Sequence, residues 1–86
     1  MNNRIIEIRN KIDEIDKEIF DLIEKRAKLV IEIAKIKKEE SLPEEDLNRE
    51  KEIFAKINGY INTKISKEYL NKIYKNIILF CKKVAY

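Results

Sequence analysis

No histidine occurs in this chain of 86 residues, and cysteine occurs once, as Cys81. A Ser–His or Cys–His nucleophile pair is therefore unavailable. One thiol without any imidazole essentially excludes a structural zinc site, and Cys81 has no partner for an internal disulfide. An enzyme built from this sequence would work without imidazole, by positioning and electrostatics. Glycine and proline also occur once each, as Gly59 and Pro43, leaving little room for the turns of a β fold. The expected class is all-α. There is no apolar run long enough to span a membrane, and Met1-Asn2-Asn3-Arg4 has no signal-peptide core, so a soluble, cytoplasmic protein without a membrane partner is expected. Charged residues make up 41% of the chain, yet their signs alternate and the net charge is only +3. That is a solvated surface with a mild bias toward anions. Aromatic-basic interleaving is missing, so no nucleic-acid partner is expected.

What the chain does have is a seam. Ile5, Ile8, Ile12, Ile15, Ile19, Leu22, Leu29, Ile33 and Ile36 recur every three or four residues, with Arg26 standing where another leucine would fit. The spacing predicts one long helix over 4–40. At about 1.5 Å per residue it would be on the order of 54 Å long. A compact domain of this size, here a single one over 1–86, has a radius of gyration of roughly 12 Å. The helix would outrun its own chain, so a second copy must cover the rest, and a twofold homodimer is expected. Ser41-Leu42-Pro43 should end this helix. Asp46 is a candidate N-cap for a second helix over 47–58, with Gly59 as its C′ residue. Asn62-Thr63 falls in a polar connection. Ser66 can cap a third helix over 67–85, whose seam reads Leu70, Ile73, Ile77, Phe80, Val84.

Polar residues in apolar places are the candidates for function. The residues one turn either side of Arg26 on its own helix are Leu22, Ile23, Leu29 and Val30, none of them acidic, and burying an unpaired guanidinium is too unfavourable to be accidental. A second column beside the seam reads Arg9, Asp16, Ile23, Val30, Lys37, which puts Lys37 nearly three turns from Arg26 on almost the same side. The second helix reads Leu47, Glu50, Phe54, Ile57, with a glutamate in a core position and Arg49 beside it. Structural readings stand next to these. Arg26 and Glu50 could form a buried salt bridge that sets register. Arg9 with Asp13, Lys37 with Glu40 and Arg49 with Glu45 could be solvated surface pairs. Cys81 could be a small core hydrophobe, and Tyr60, Tyr69, Tyr74 and Tyr86 core-edge residues. The inward set holds more cations than anions, which favours a small anionic ligand.

Four elements in order then resemble a family. Ile8-Arg9-Asn10-Lys11-Ile12-Asp13-Glu14-Ile15-Asp16, Leu22-Ile23-Glu24-Lys25-Arg26, Ile33-Ala34-Lys35-Ile36-Lys37 and Asp46-Leu47-Asn48-Arg49-Glu50 resemble the all-helical (type II) class of chorismate mutase. The resemblance implies an intertwined homodimer of three-helix chains. It also implies an isomerase of phenylalanine and tyrosine biosynthesis that rearranges chorismate to prephenate without a cofactor. Arg26 resembles the cation gripping one substrate carboxylate, and Arg9 the arginine donated across the dimer to the other. Lys37 resembles the lysine that meets a carboxylate and the ether oxygen. Asp46 and Glu50 resemble the pair near the ring hydroxyl, and Arg49 the arginine at the site's edge.

The third helix departs from the pattern. Cys81 and Ala85 occupy the positions where the family usually has a small polar residue and a Gln or Glu, and this chain has no glutamine. A second hydrogen bond to the ether oxygen is thereby missing. An attenuated enzyme, another donor such as Tyr86 or Lys82, or a deliberately altered scaffold would each account for it. An isochorismate pyruvate-lyase and a non-catalytic helical dimerisation or sensing module are the alternative functions.

Overall fold

The computed structural model describes residues 2–60 and 67–86. These form three helices, α1 (Asn3–Glu39), α2 (Leu47–Tyr60) and α3 (Lys67–Ala85), and none of the described residues is in a strand. The class is all-α, as expected. Asn2 caps α1 by accepting the Arg4 N–H at 2.8 Å. The other end of α1 closes before Pro43 is reached. The Leu42 N–H donates to the Lys37 carbonyl and the Ser41 N–H to that of Lys38, with Ser41 in the left-handed region at φ 55°. This is a Schellman closure built on a serine rather than a glycine. Asp46 caps α2 through Oδ1, which accepts the Arg49 N–H at 3.0 Å.

Gly59 does not play the expected role. Its φ is not positive, and α2 runs on through it to Tyr60. Glycine permits a left-handed exit but does not force one, and a Cβ placed there would meet nothing within 4 Å. The expected Ser66 cap and the Asn62-Thr63 connection lie outside the described residues.

The packing corrects the sequence reading of the seams. α3 lies mainly against α1, with α2 touching α3, and the core is small: Ala27, Ala34, Ile53, Ile78 and Cys81. Ala27 and Ala34 sit two turns apart on α1 and let α3 approach closely, since the separation of packed helices follows the size of the contact residues. The face of α3 turned inward is thus Asn71, Tyr74, Ile78, Cys81 and Ala85, while Ile73, Phe80 and Val84 are exposed. On α1 the covered column is Ile23, Ala27, Val30, Ala34 and Lys37, and the whole isoleucine seam beside it is open. Periodicity identifies an apolar stripe but cannot say which neighbour covers it. The chain measures 57 × 25 × 15 Å with a radius of gyration of 16.7 Å. Its accessible surface of 7614 Å² exceeds the roughly 5,400 Å² of a compact monomer of this mass by about 2,200 Å².

Candidate active site

A cavity of about 490 Å³ opens where the C-terminal half of α1 meets α2 and the end of α3, a size suited to a small metabolite. Its floor is apolar, from Leu29, Val30, Ile33, Ile53 and Ile78. Charges stand around that floor because each helix places them there for a local reason. On α1, Arg26 and Lys37 sit on the inward side, three turns apart. Asp46 is at the mouth because it caps α2, and Arg49 and Glu50 follow in the first turn. From α3 and the residue after it come Cys81, Lys82 and Tyr86. Six of the eight residues singled out from sequence are therefore brought together: Arg26, Lys37, Asp46, Arg49, Glu50 and Cys81. Ala85 is half-buried on α3 but is not part of the cavity wall. Arg9 lies about 26 Å up α1 from Arg26, beyond the reach of any side chain into this cavity.

The partners differ from those expected. No carboxylate lies within ion-pair distance of Arg26 among the described residues. Its guanidinium instead lies 5.4 Å from the centre of the Tyr74 ring, a cation–π contact. Partial burial pulls its pKa down, but hydrogen bonding to the Cys81 thiol and the nearby Tyr74 phenol more than compensate, and the net shift is upward. Arg26 is thus a permanent cation, held by neutral groups and open to the cavity. The register-setting Arg26–Glu50 bridge does not form. Glu50 accepts from Lys82 Nζ at 2.9 Å. Lys37 does not pair with Glu40 but donates to the Glu44 carbonyl at 2.9 Å and lies 5.8 Å from the Tyr86 ring centre. Arg49 reaches Glu52 rather than Glu45, at 3.4 Å on the surface, where such a pair contributes little.

Lys82, Tyr74 and Glu44 carry weight that the sequence reading did not assign to them. Tyr74 is two turns from Cys81, so helical spacing alone could have set it against Arg26. Lys82 was visible only as a possible substitute donor. The Glu44 contribution is a backbone carbonyl and leaves no trace in sequence. Chemically, the cavity offers fixed cations over an apolar floor, where low local dielectric strengthens their pull on an anion. Cys81 is only 1% exposed, so an incoming substrate has little access to its thiol. Holding and polarising a small anion is what this arrangement can do.

The comparisons agree with that chemistry. The profile of the family described as Chorismate mutase type II matches residues 8–86. A bifunctional chorismate mutase/prephenate dehydratase of Aquifex aeolicus is 41% identical over 80 residues, covering 87% of this chain and 22% of that protein. A chorismate mutase of Methanocaldococcus jannaschii is 44% identical over 57 residues, 66% of this chain and 58% of that protein. The chain thus spans about a fifth of the first relative and under two thirds of the second. Among solved structures, Form II of the chorismate mutase from Thermus thermophilus superposes with a TM-score of 0.91 at 29% identity, covering 95% of this chain and 93% of that one.

Proposed function

The chain belongs to the type II chorismate mutase family, and we propose that its own reaction is the rearrangement of chorismate to prephenate, a step of aromatic amino acid biosynthesis. The observation that carries this reading is Arg26: a permanent cation facing a metabolite-sized cavity, with no carboxylate in ion-pair distance among the described residues. A dicarboxylate supplies the missing anion. Arg26 takes one carboxylate, and Lys37, nearly three turns along α1, takes a carboxylate and the ether oxygen. Asp46 and Glu50 face the ring hydroxyl, and Arg49 closes the edge, with Cys81 and Ala85 behind. The reaction is unimolecular. Catalysis then consists of holding a flexible dianion in its reactive conformer and stabilising charge on the breaking bond.

The working unit we propose is a homodimer of single-domain chains. Every residue from 2 to 22 is exposed, Ile5, Ile8, Ile12, Ile15 and Ile19 among them. Hiding such a stripe takes a long apolar partner, and the surplus of about 2,200 Å² per chain falls in the range of obligate dimers. A second α1 matches the stripe in length and character, and it would bring Arg9 toward the partner's cavity. The reduced, buried thiol of Cys81 suits a cytoplasmic location.

Loss of chorismate, followed spectrophotometrically with the purified protein, tests the reading. Arg26→Ala should slow turnover by about 10³-fold, at the upper end for a single charge-stabilising donor, with the dimer intact. Full rates in both Arg26→Ala and Lys37→Ala would sink the site assignment. Turnover of isochorismate alone would make the chain a pyruvate-lyase, and turnover of neither a non-catalytic module.

A further inference from the structure

Lys82 belongs to none of the four sequence elements above, yet it is in the cavity wall. Its contact with Glu50 is the single ion pair among the described residues that joins two helices; the others are local pairs along one helix. The two side chains are 33% and 24% exposed. A part-buried pair of this kind is a weak device for stability, because desolvation offsets the attraction. Ile53 and Ile78 already supply apolar contact surface at this junction. The pair therefore calls for another explanation.

Three features supply one. Lysine holds a point charge on a flexible stem with three donors, and Glu50 engages one of them. One turn further along the same face of α3 is Ala85, which carries only a methyl group, so the Lys82 stem has space to sweep. Charge balance points the same way. Among the described residues, the cavity wall has four side-chain cations (Arg26, Lys37, Arg49, Lys82) against three side-chain carboxylates (Glu44, Asp46, Glu50). Without Lys82 the excess that attracts a dianion vanishes.

We propose that Lys82 is a further catalytic residue, whose ammonium donates a hydrogen bond to the substrate's ether oxygen as the carbon–oxygen bond breaks. This rests on the mutase reading above. In that rearrangement one ether C–O bond breaks while one C–C bond forms within the same molecule, and the ether oxygen becomes a carbonyl. No proton moves and nothing is oxidised or reduced, so Lys82 keeps all its protons throughout. It meets partial negative charge on the oxygen from α3 while Lys37 meets it from α1. Glu50 holds the ammonium in place when the cavity is empty.

Lys82→Met keeps the stem and removes the charge. Its kcat should fall about 10²-fold, with KM changing less and the circular dichroism unchanged. Adding Ala85→Gln to Lys82→Met should return at least about tenfold of that kcat, because an amide one turn away can reach the same space. In the otherwise native chain Ala85→Gln should raise kcat by a smaller factor than it does in Lys82→Met, because Lys82 already serves the oxygen. A purely structural Lys82 would give no such rescue. If Lys82→Met does not fold, Lys82→Gln retains a donor toward Glu50 and should show a smaller kcat loss with the same rescue. Native kcat in Lys82→Met, or an equal gain from Ala85→Gln with and without Lys82, overturns the proposal while leaving the mutase reading intact. A wild-type chain that does not turn over chorismate overturns both.

Discussion

The two halves of α1 carry the same apolar spacing and live in different surroundings. From 3 to 22 every residue is exposed, whereas from 23 onward Ile23, Ala27, Val30, Ala34 and Lys37 turn toward the other helices and the cavity. The first half has an uninterrupted stripe of isoleucines and leucine. The second breaks that stripe with Arg26 and sets two alanines beside it. Uniform large side chains suit a surface that repeats along another helix. Small residues with an isolated cation suit a close helix crossing that leaves a charged cavity at its edge. In the proposed dimer one helix would do two jobs, and the change of side-chain size marks where one passes into the other.

The most severe way to break this comparison is Ile12→Asp together with Ile15→Asp. These positions are 48% and 55% exposed in the single chain, and on a true surface the change would stay within about 0.5 kcal/mol. Beneath a second chain it buries unpaired carboxylates, at several kcal/mol each. The expected outcome is loss of the dimer by sedimentation, of most helical signal and of turnover. An unchanged mass and melting curve would refute the covered-seam reading. A finer cut tests whether the first half also serves chemistry. Arg9→Ala and Arg26→Ala chains should each be nearly inactive alone. Unfolded and refolded together, they should regain roughly a quarter of native turnover. Random pairing makes half the dimers mixed, and each of those has one intact site of two. No recovery would mean that Arg9 does not act on the partner's cavity.

How much of this was legible in sequence depended on whether the determinant was local. Helix number and the Asp46 cap follow from short-range chemistry and were readable. So was the sharing of one side of α1 by Arg26 and Lys37, because helical spacing fixes it. The inward face of α3 was not. Its large stripe, Ile73, Phe80 and Val84, and its smaller one, Ile78, Cys81 and Ala85, are both apolar, and only the alanines of α1 decide which is admitted. The partners of Arg26 and Glu50 were hidden for a related reason. Charge pattern suggested that they meet each other, but a guanidinium can be sheltered by a tyrosine face with no acid present. Glu50 found its cation 32 residues away on α3. Gly59 misled because its conformational freedom is an option that the chain left unused.

The smallest effect sharpens the boundary at the far end of α1. Ser41 holds φ 55° so that the Leu42 N–H can reach the Lys37 carbonyl at 2.8 Å. Lys37 in turn uses its ammonium to hold the Glu44 carbonyl, so this serine supports the wall of the cavity. A left-handed non-glycine residue costs about 1–2 kcal/mol, and glycine gives back some of that through its larger unfolded-state entropy. Ser41→Gly should therefore stabilise the protein by about 0.5–1 kcal/mol, raising the melting midpoint by roughly 3–6 °C for a domain of this size. If the two halves of α1 are covered by different neighbours, amide exchange should slow more around 30–42 than around 5–20. A lowered midpoint would show that the Ser41 side chain contributes more than its backbone strain removes. Equal slowing along the whole helix would show that α1, for all its two surroundings, opens as one unit.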